Sequence, residues 1–270
     1  MKKLLITLSI AILSHGCIFS FATPCFAQDP NAYKQWWLKS DKANGGANIE
    51  NAWKIAKNNY KVKVAIIDYD FDLEHEDIKE NIFINKKEIP NNGIDDDKNG
   101  YIDDYMGYSA IHRKGLTELP TIKEAHGTHI MGIIGARHNN NLGIKGVSPH
   151  VKMIPILKNI YRIDPNKEAE IIAHAIDYAI NMKVDIINFS QQIHALNNTK
   201  LEQAFKRAEK ENIVVVVAAG NLGIDILDDQ YNVTLAKYGK RFKNIIVVAS
   251  SDPGRVSSYF TNYNKDYVHV

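Results

Sequence analysis

The sequence predicts an α/β fold, a mostly parallel sheet with helices on both faces. Two observations carry this prediction. Short, largely β-branched runs (Val62 to Ile67, Val151 to Leu157, Val184 to Phe189, Ile213 to Ala218 and Ile245 to Ala249) alternate with segments of helical periodicity. The chain is also long enough: 270 residues, 45% hydrophobic and 24% charged, supply one large domain with its own core.

Residues 1–27 read as a secretory signal. Lys2 and Lys3 form its basic start, an apolar run follows from Leu4, and Cys25-Phe26-Ala27 offers a small-x-small cleavage site. The domain is then 28–270, exported to the medium, the periplasm or the cell envelope. Two of the 33 basic residues and none of the 31 acidic ones leave with the signal, so the rest balances at zero formal charge. That balance argues against nucleic acid or a membrane surface as the main partner, and no later apolar run is long enough to span a bilayer. Cys17 and Cys25 leave as well, so an exported chain without disulfides needs another source of stability.

Asp29-Pro30, Tyr33 and Gln35-Trp36-Trp37-Leu38 predict an ordered N-terminal arm. A short helix follows over Ile49 to Asn58, with Ile49, Ala52, Trp53 and Ala56 on its packing face. The first strand ends at Asp68, and α/β sheets bind their ligands at the carboxyl ends of strands. No GxGxxG follows it, so a dinucleotide is not indicated.

A polar excursion from about Asn81 to Glu124 interrupts the alternation. Within it Asp95, Asp97, Asn99, Gly100, Tyr101 and Asp103 fall at the first, third, fifth, sixth, seventh and ninth places of a calcium loop. Met106 holds the twelfth place, where an EF-hand has glutamate, so the reading is a calcium loop that is not an EF-hand.

The alternation resumes with a helix opening at His126, whose head is polar and whose tail is apolar and rich in small residues. Unpaired amides and the positive end of the helix dipole at its first turn favour neutral imidazole, a usable general base. His129 lies at i, i+3, but no third and fourth ligand accompanies the pair to make a zinc site. Helices over Lys167 to Met182 and Thr199 to Lys210 complete the pattern, and the fourth strand run ends in Ala219-Gly220-Asn221. Asp68, His126 and Asn221 thus stand at three element ends.

Five motifs occur in order: VAIID at 64–68, HGTHIMGIIGA at 126–136, GIKGVSP at 143–149, NFS at 188–190 and VVVAAGN at 215–221. Together they resemble the subtilisin-like serine proteases over the whole chain after the signal. The resemblance implies a three-layer fold and an Asp, His, Ser triad in that chain order. Asp68 would orient His126, His126 would take the proton of a serine, and Asn221 would donate to the oxyanion. Ser190, Gln191 and Gln192 would line the edge where a polypeptide substrate adds as a strand. Structural calcium is implied at a site formed by Asp29, Asp77 and Asn140 with carbonyls of His138, Leu142 and Ile144, in addition to the loop at 95–103.

The nucleophile of the family sits in Gly-Thr-Ser at the start of a later helix, and the one Gly-Thr here, Gly127-Thr128, precedes His129. The reading is therefore of a chain truncated before its serine, inactive as it stands, with the apolar sheet surface that the missing helix covers left bare. The alternative is a non-catalytic relative that binds peptides or a partner protein through the retained cleft. Tyr69 for Ser or Thr, Asp70 for Gly, and Gln191-Gln192 for Leu-Gly depart from the family pattern. On an extended strand Asp68 and Asp70 would point the same way and disfavour each other's ionisation.

Overall fold

A computed structural model describes residues 28–39, 45–56, 61–116, 125–158, 164–193, 198–228 and 234–270. The expected signal at 1–27 and the end of the first expected helix lie outside them. The helices are α1 (Ile49–Ile55), α2 (His126–Gly135), α3 (Pro165–Asn181), α4 (Thr199–Lys210) and α5 (Thr234–Tyr238). The strands are β1 (Lys63–Asp68), β2 (Tyr108–Ser109), β3 (Lys114–Gly115), β4 (Lys152–Leu157), β5 (Ile186–Phe189), β6 (Val214–Ala218) and β7 (Ile245–Val248), with β8 (Ser251–Asp252) and β9 (Val256–Ser257) forming a separate hairpin. The main sheet runs β3-β2-β4-β1-β5-β6-β7, and all neighbours are parallel except β2 and β3.

β1 is hydrogen-bonded to β4 on one side and to β5 on the other, so the order reverses at β1. Such a switch point opens a crevice at the carboxyl end of the strand, and Asp68 is its last residue. β1 and β4 are buried nearly throughout, between α2 on one face and α3 on the other. Local signals set the long helices. Asp164 caps α3 by accepting from the amides of Asn166 and Lys167 at 3.0 and 3.1 Å, with Pro165 in the first turn. Asn198 caps α4 in the same way, and Leu201, Ala204, Phe205 and Ala208 form its buried stripe.

The N-terminus of α2 is held to the end of β1 by Asp70. Its Oδ2 accepts from the Ala125 amide at 2.9 Å and its Oδ1 from the Gly127 amide at 3.3 Å. The expected repulsion between Asp68 and Asp70 is thereby corrected: β1 stops at Asp68, and Asp70 spends its carboxylate on helix amides that lack an intrahelical acceptor. The approach is close, since a Cβ on Gly127 would collide with the Asp70 carbonyl oxygen and the Phe71 ring. The expected packing face of α1 is also weaker than the periodicity predicts. Of that face Ala52 and Ala56 are exposed and Ile49 and Trp53 half-buried, and the anchor is Trp53, whose indole N–H donates to the Val147 carbonyl at 2.8 Å.

The second half of the sheet is covered on one face only by the described residues. Ile187, Phe189, Val215, Val217, Ile245 and Val247 are buried, whereas Ile186, Asn188, Val214, Val216, Ala218 and Val248 are half-buried and Ile246 is 36% exposed. Val62, Val64, Ile134, Val147, Ile186 and Val216 line an open apolar groove of about 340 Å³ on this side. A parallel sheet is ordinarily covered on both faces.

Two outcomes follow for urea unfolding. Ile187→Ala removes a side chain packed on all sides and costs ~2–5 kcal/mol, while Ile246→Ala on the bare face costs under ~1 kcal/mol; equal costs would mean that the two faces are equally covered. Asp70→Ala loses the α2 cap and costs ~1–2 kcal/mol, whereas Asp70→Asn, which keeps an acceptor, costs a fraction of that.

Candidate active site

His126 opens α2 and turns its ring toward the end of β1. Its Nδ1 lies 2.9 Å from both Oδ1 and Oδ2 of Asp68, a residue 0% exposed, while the His126 side chain is 40% exposed. A carboxylate acceptor at this distance fixes the proton on Nδ1 and leaves Nε2 as the basic nitrogen. Asp68 Oδ1 takes two further donors, the Tyr69 amide at 2.7 Å and the Gln191 side-chain amide at 2.6 Å. His129, one helical turn on, is exposed and is not part of this cluster.

Asn221 lies just past β6, on the same edge of the parallel sheet as Asp68. Its side chain is exposed, and its amide has no hydrogen-bond partner among the described residues, which leaves a donor facing solvent. The turn presenting it is built by a residue that the motif reading missed. Asn262, 0% exposed, donates to the Ala219 carbonyl at 3.1 Å, accepts from the Leu222 and Ile224 amides, and gives its own amide to the Gly220 carbonyl. Gly220 has φ +111°, and a Cβ there would strike the side chains of Gln192 and Asn262. An asparagine in a polar tail segment carries no sequence signal of this role.

The three residues expected at a substrate edge behave differently from one another. Ser190 Oγ accepts from Asn188 Nδ2 at 3.0 Å. The side chain of Gln191 is buried and turned inward onto Asp68, so it does not face the edge. Gln192 packs against Gly220, and its Nε2 is buried without a partner among the described residues. Ser250 and Ser258 bond each other, and Ser258 donates to Asp252.

Lys158, 1% exposed, was not singled out by its sequence context. Its amide donates to the Asp68 carbonyl at 2.9 Å, and its ammonium pairs with Glu168 at 2.8 Å, 4.8 Å from the centre of the Tyr69 ring and 5.4 Å from that of Phe189. Burial pushes its pKa below the usual lysine value, opposed by Glu168 and then by Asp68.

Two oxygen-rich regions lie away from this centre. In the first, Asp29 accepts from the Asn139 and Asn140 amides at 2.9 and 3.2 Å, and Asp77 accepts from Asn140 Nδ2 at 2.8 Å and the Ile144 amide at 3.1 Å. The arm, the segment after β1 and the loop after α2 therefore meet, and Gln35 and Lys145 exchange two more hydrogen bonds nearby. Leu142 donates its amide to Asn140 Oδ1, and the His138 ring donates to the Gly146 carbonyl, its pKa lowered first by burial. Both carboxylates are buried and neither joins an ion pair among the described residues.

In the second region Glu88, Asp95 and Asp97 bring carboxylate oxygens within 4.8 Å of one another. Glu88 is missing from the loop register because it reaches in from the preceding segment. Its Oε2 is buried with no partner among the described residues, and burial pushes its pKa up. Asp103, expected as the ninth-place ligand, turns instead to the amides of Asn92 and Gly93, its backbone in the left-handed region at φ +54°. Asn99 Oδ1 accepts from the Tyr101 amide, and the Tyr101 ring packs against Tyr108 and Tyr178. The buried Asp104 ties this loop to α3 through Asn85, Asn99 and Tyr178, and burial raises its pKa.

No helix among the described residues is long and apolar enough to cross a membrane. Residues 59–269 match the model of the subtilase family, Peptidase_S8. The chain is 32% identical over 216 residues to the major intracellular serine protease of Bacillus subtilis, covering 79% of this chain and 58% of that protein. It is 33% identical over 201 residues to subtilisin-like protease 1 of Plasmodium berghei, covering 71% of this chain and 32% of that one. The chain thus spans from about a third to under three fifths of these two relatives. Among solved structures, the epidermin leader peptide processing protease EpiP of Staphylococcus aureus superposes with TM-score 0.61 at 22% identity, covering 90% of this chain and 58% of that one. The nisin leader peptidase NisP of Lactococcus lactis gives TM-score 0.57 at 21% identity, with 87% and 67% covered. With a family match over most of its length and the parallel α/β sheet in place, the chain belongs to the subtilisin-like serine protease family.

Proposed function

We propose that this chain carries the acid–base and oxyanion parts of a secreted endopeptidase centre that hydrolyses peptide bonds. The observation that carries the reading is the bond from His126 Nδ1 to the fully buried Asp68. In this reading Asp68 holds the imidazole, His126 Nε2 takes the proton from a serine hydroxyl and returns it to the leaving amine, and Asn221 donates to the developing oxyanion. Removing an oxyanion donor of this kind from a subtilisin lowers turnover ~100- to 1,000-fold. Export is supported by the signal-like pattern of residues 1–27.

No Gly-Thr-Ser occurs in the 270 residues, so on this reading they do not hydrolyse peptide by themselves. Gln192 packed against Gly220 favours the second reading, a cleft that holds a peptide or partner without cutting it. A fluorophosphonate probe tests what the two readings share, the absence of a nucleophile from these residues. The purified 270-residue chain stays unlabelled and leaves casein intact; a labelled serine would show that a nucleophile within these residues serves His126.

We also propose structural calcium at both oxygen-rich regions. The first is the set that the family resemblance implies, Asp29, Asp77 and Asn140 with carbonyls of His138, Leu142 and Ile144, and the meeting of three remote segments there supports it; Asp95 and Asp97 with Glu88 suit the second. The bare, buried Glu88 oxygen supports the second site. Calcium at about 100 times its dissociation constant adds ~2.7 kcal/mol of stability per site. Calorimetry of the chain with calcium should show heat that Asp77→Asn and Glu88→Gln each reduce, and unchanged heats in both variants would remove the two sites.

A further inference from the structure

The Asp68 carboxylate is 0% exposed, and its partners differ in kind. The Tyr69 amide is its backbone neighbour, and His126 is the group it serves. Gln191 is neither. It comes from 123 residues away, is 6% exposed, and places its Nε2 at 2.6 Å from Oδ1, the shortest of the Asp68 contacts.

The sheet explains how it arrives. β5 runs beside β1 with Ile66 opposite Asn188, and the chain beyond Phe189 continues along the end of β1. Gln191 is then close enough for its side chain to reach across to Asp68. The orientation of its amide is fixed by charge, because the reverse rotamer would set Oε1 against a carboxylate. Oε1 is itself buried with no partner among the described residues, so the side chain leaves its acceptor unused while making this bond.

We propose that Gln191 is a positioning residue for the Asp68–His126 pair, acting by holding Oδ1 with a charge-assisted hydrogen bond. The inference rests on reading Asp68 and His126 as the acid–base pair. A donor on Oδ1 fixes the plane of the carboxylate, which keeps both oxygens facing Nδ1, and draws off part of its negative charge. Without that donor the carboxylate stabilises the imidazolium more strongly, and His126 holds its second proton to higher pH.

The test is nuclear magnetic resonance of the isotope-labelled chain across a pH titration, with no substitution at first. The Gln191 side-chain amide resonance should move with the same midpoint as the His126 ring. Gln191→Met, close in size and without a donor, should raise the His126 midpoint by ~0.5–1 pH unit, and Asp68→Asn should lower it. If Asp68→Asn leaves the midpoint unmoved, the pair itself is misread. If Asp68→Asn moves it while the Gln191 amide ignores the titration, Gln191 has no part in the pair and the inference falls. Should Gln191→Met not fold, the amide titration in the unaltered chain decides alone.

Discussion

A carboxylate with no exposure to water at the end of the central strand is the constraint on which this structure depends. Burying Asp68 as an anion without donors would cost several kcal/mol. The fold meets it with the imidazole of α2, the Tyr69 amide and the Gln191 side chain, while the Lys158 amide fixes the Asp68 carbonyl. Each donor comes from a different element, so the elements must arrive together. Strand order is what allows it, since β4 and β5 flank β1 and carry Lys158 and Gln191 just past their ends.

The neighbouring acidic residue shows the same rule. Asp68 and Asp70 are two residues apart, yet one faces an imidazole and the other the amides that open α2. Asp70 therefore aims the helix that carries His126. A side chain that departs from the family pattern at one of its motifs becomes part of the scaffold. Gln191 is a second such case, with an amide turned inward onto Asp68 in place of an apolar side chain.

The periodic parts of the sequence were legible because burial alone decides them. The predicted strands, α3 and α4 fall within two residues of their observed bounds, and α3 begins two residues early because Asp164 and Pro165 supply a cap and a first turn outside the apolar stripe. The pairing of Asp68 with His126 could be anticipated from motif order. The excursion was not legible in detail. Its two short strands add to the sheet edge, Glu88 enters the acidic loop from outside the register, and Asp103 leaves it through a left-handed residue. Asn262 and Lys158 were missed for a related reason: each acts through one hydrogen-bond geometry, which no spacing in the sequence encodes.

The most direct measurement of the central claim is a double-mutant cycle between Asp68→Ala and His126→Ala, followed by urea unfolding of the purified chain. A charge-assisted bond at a fully buried carboxylate predicts a coupling of ~1.5–3 kcal/mol between the two substitutions. Additive effects, with coupling below ~0.5 kcal/mol, would mean that the two side chains do not interact in solution, and the account of this site as a subtilase acid–base pair would fail with them.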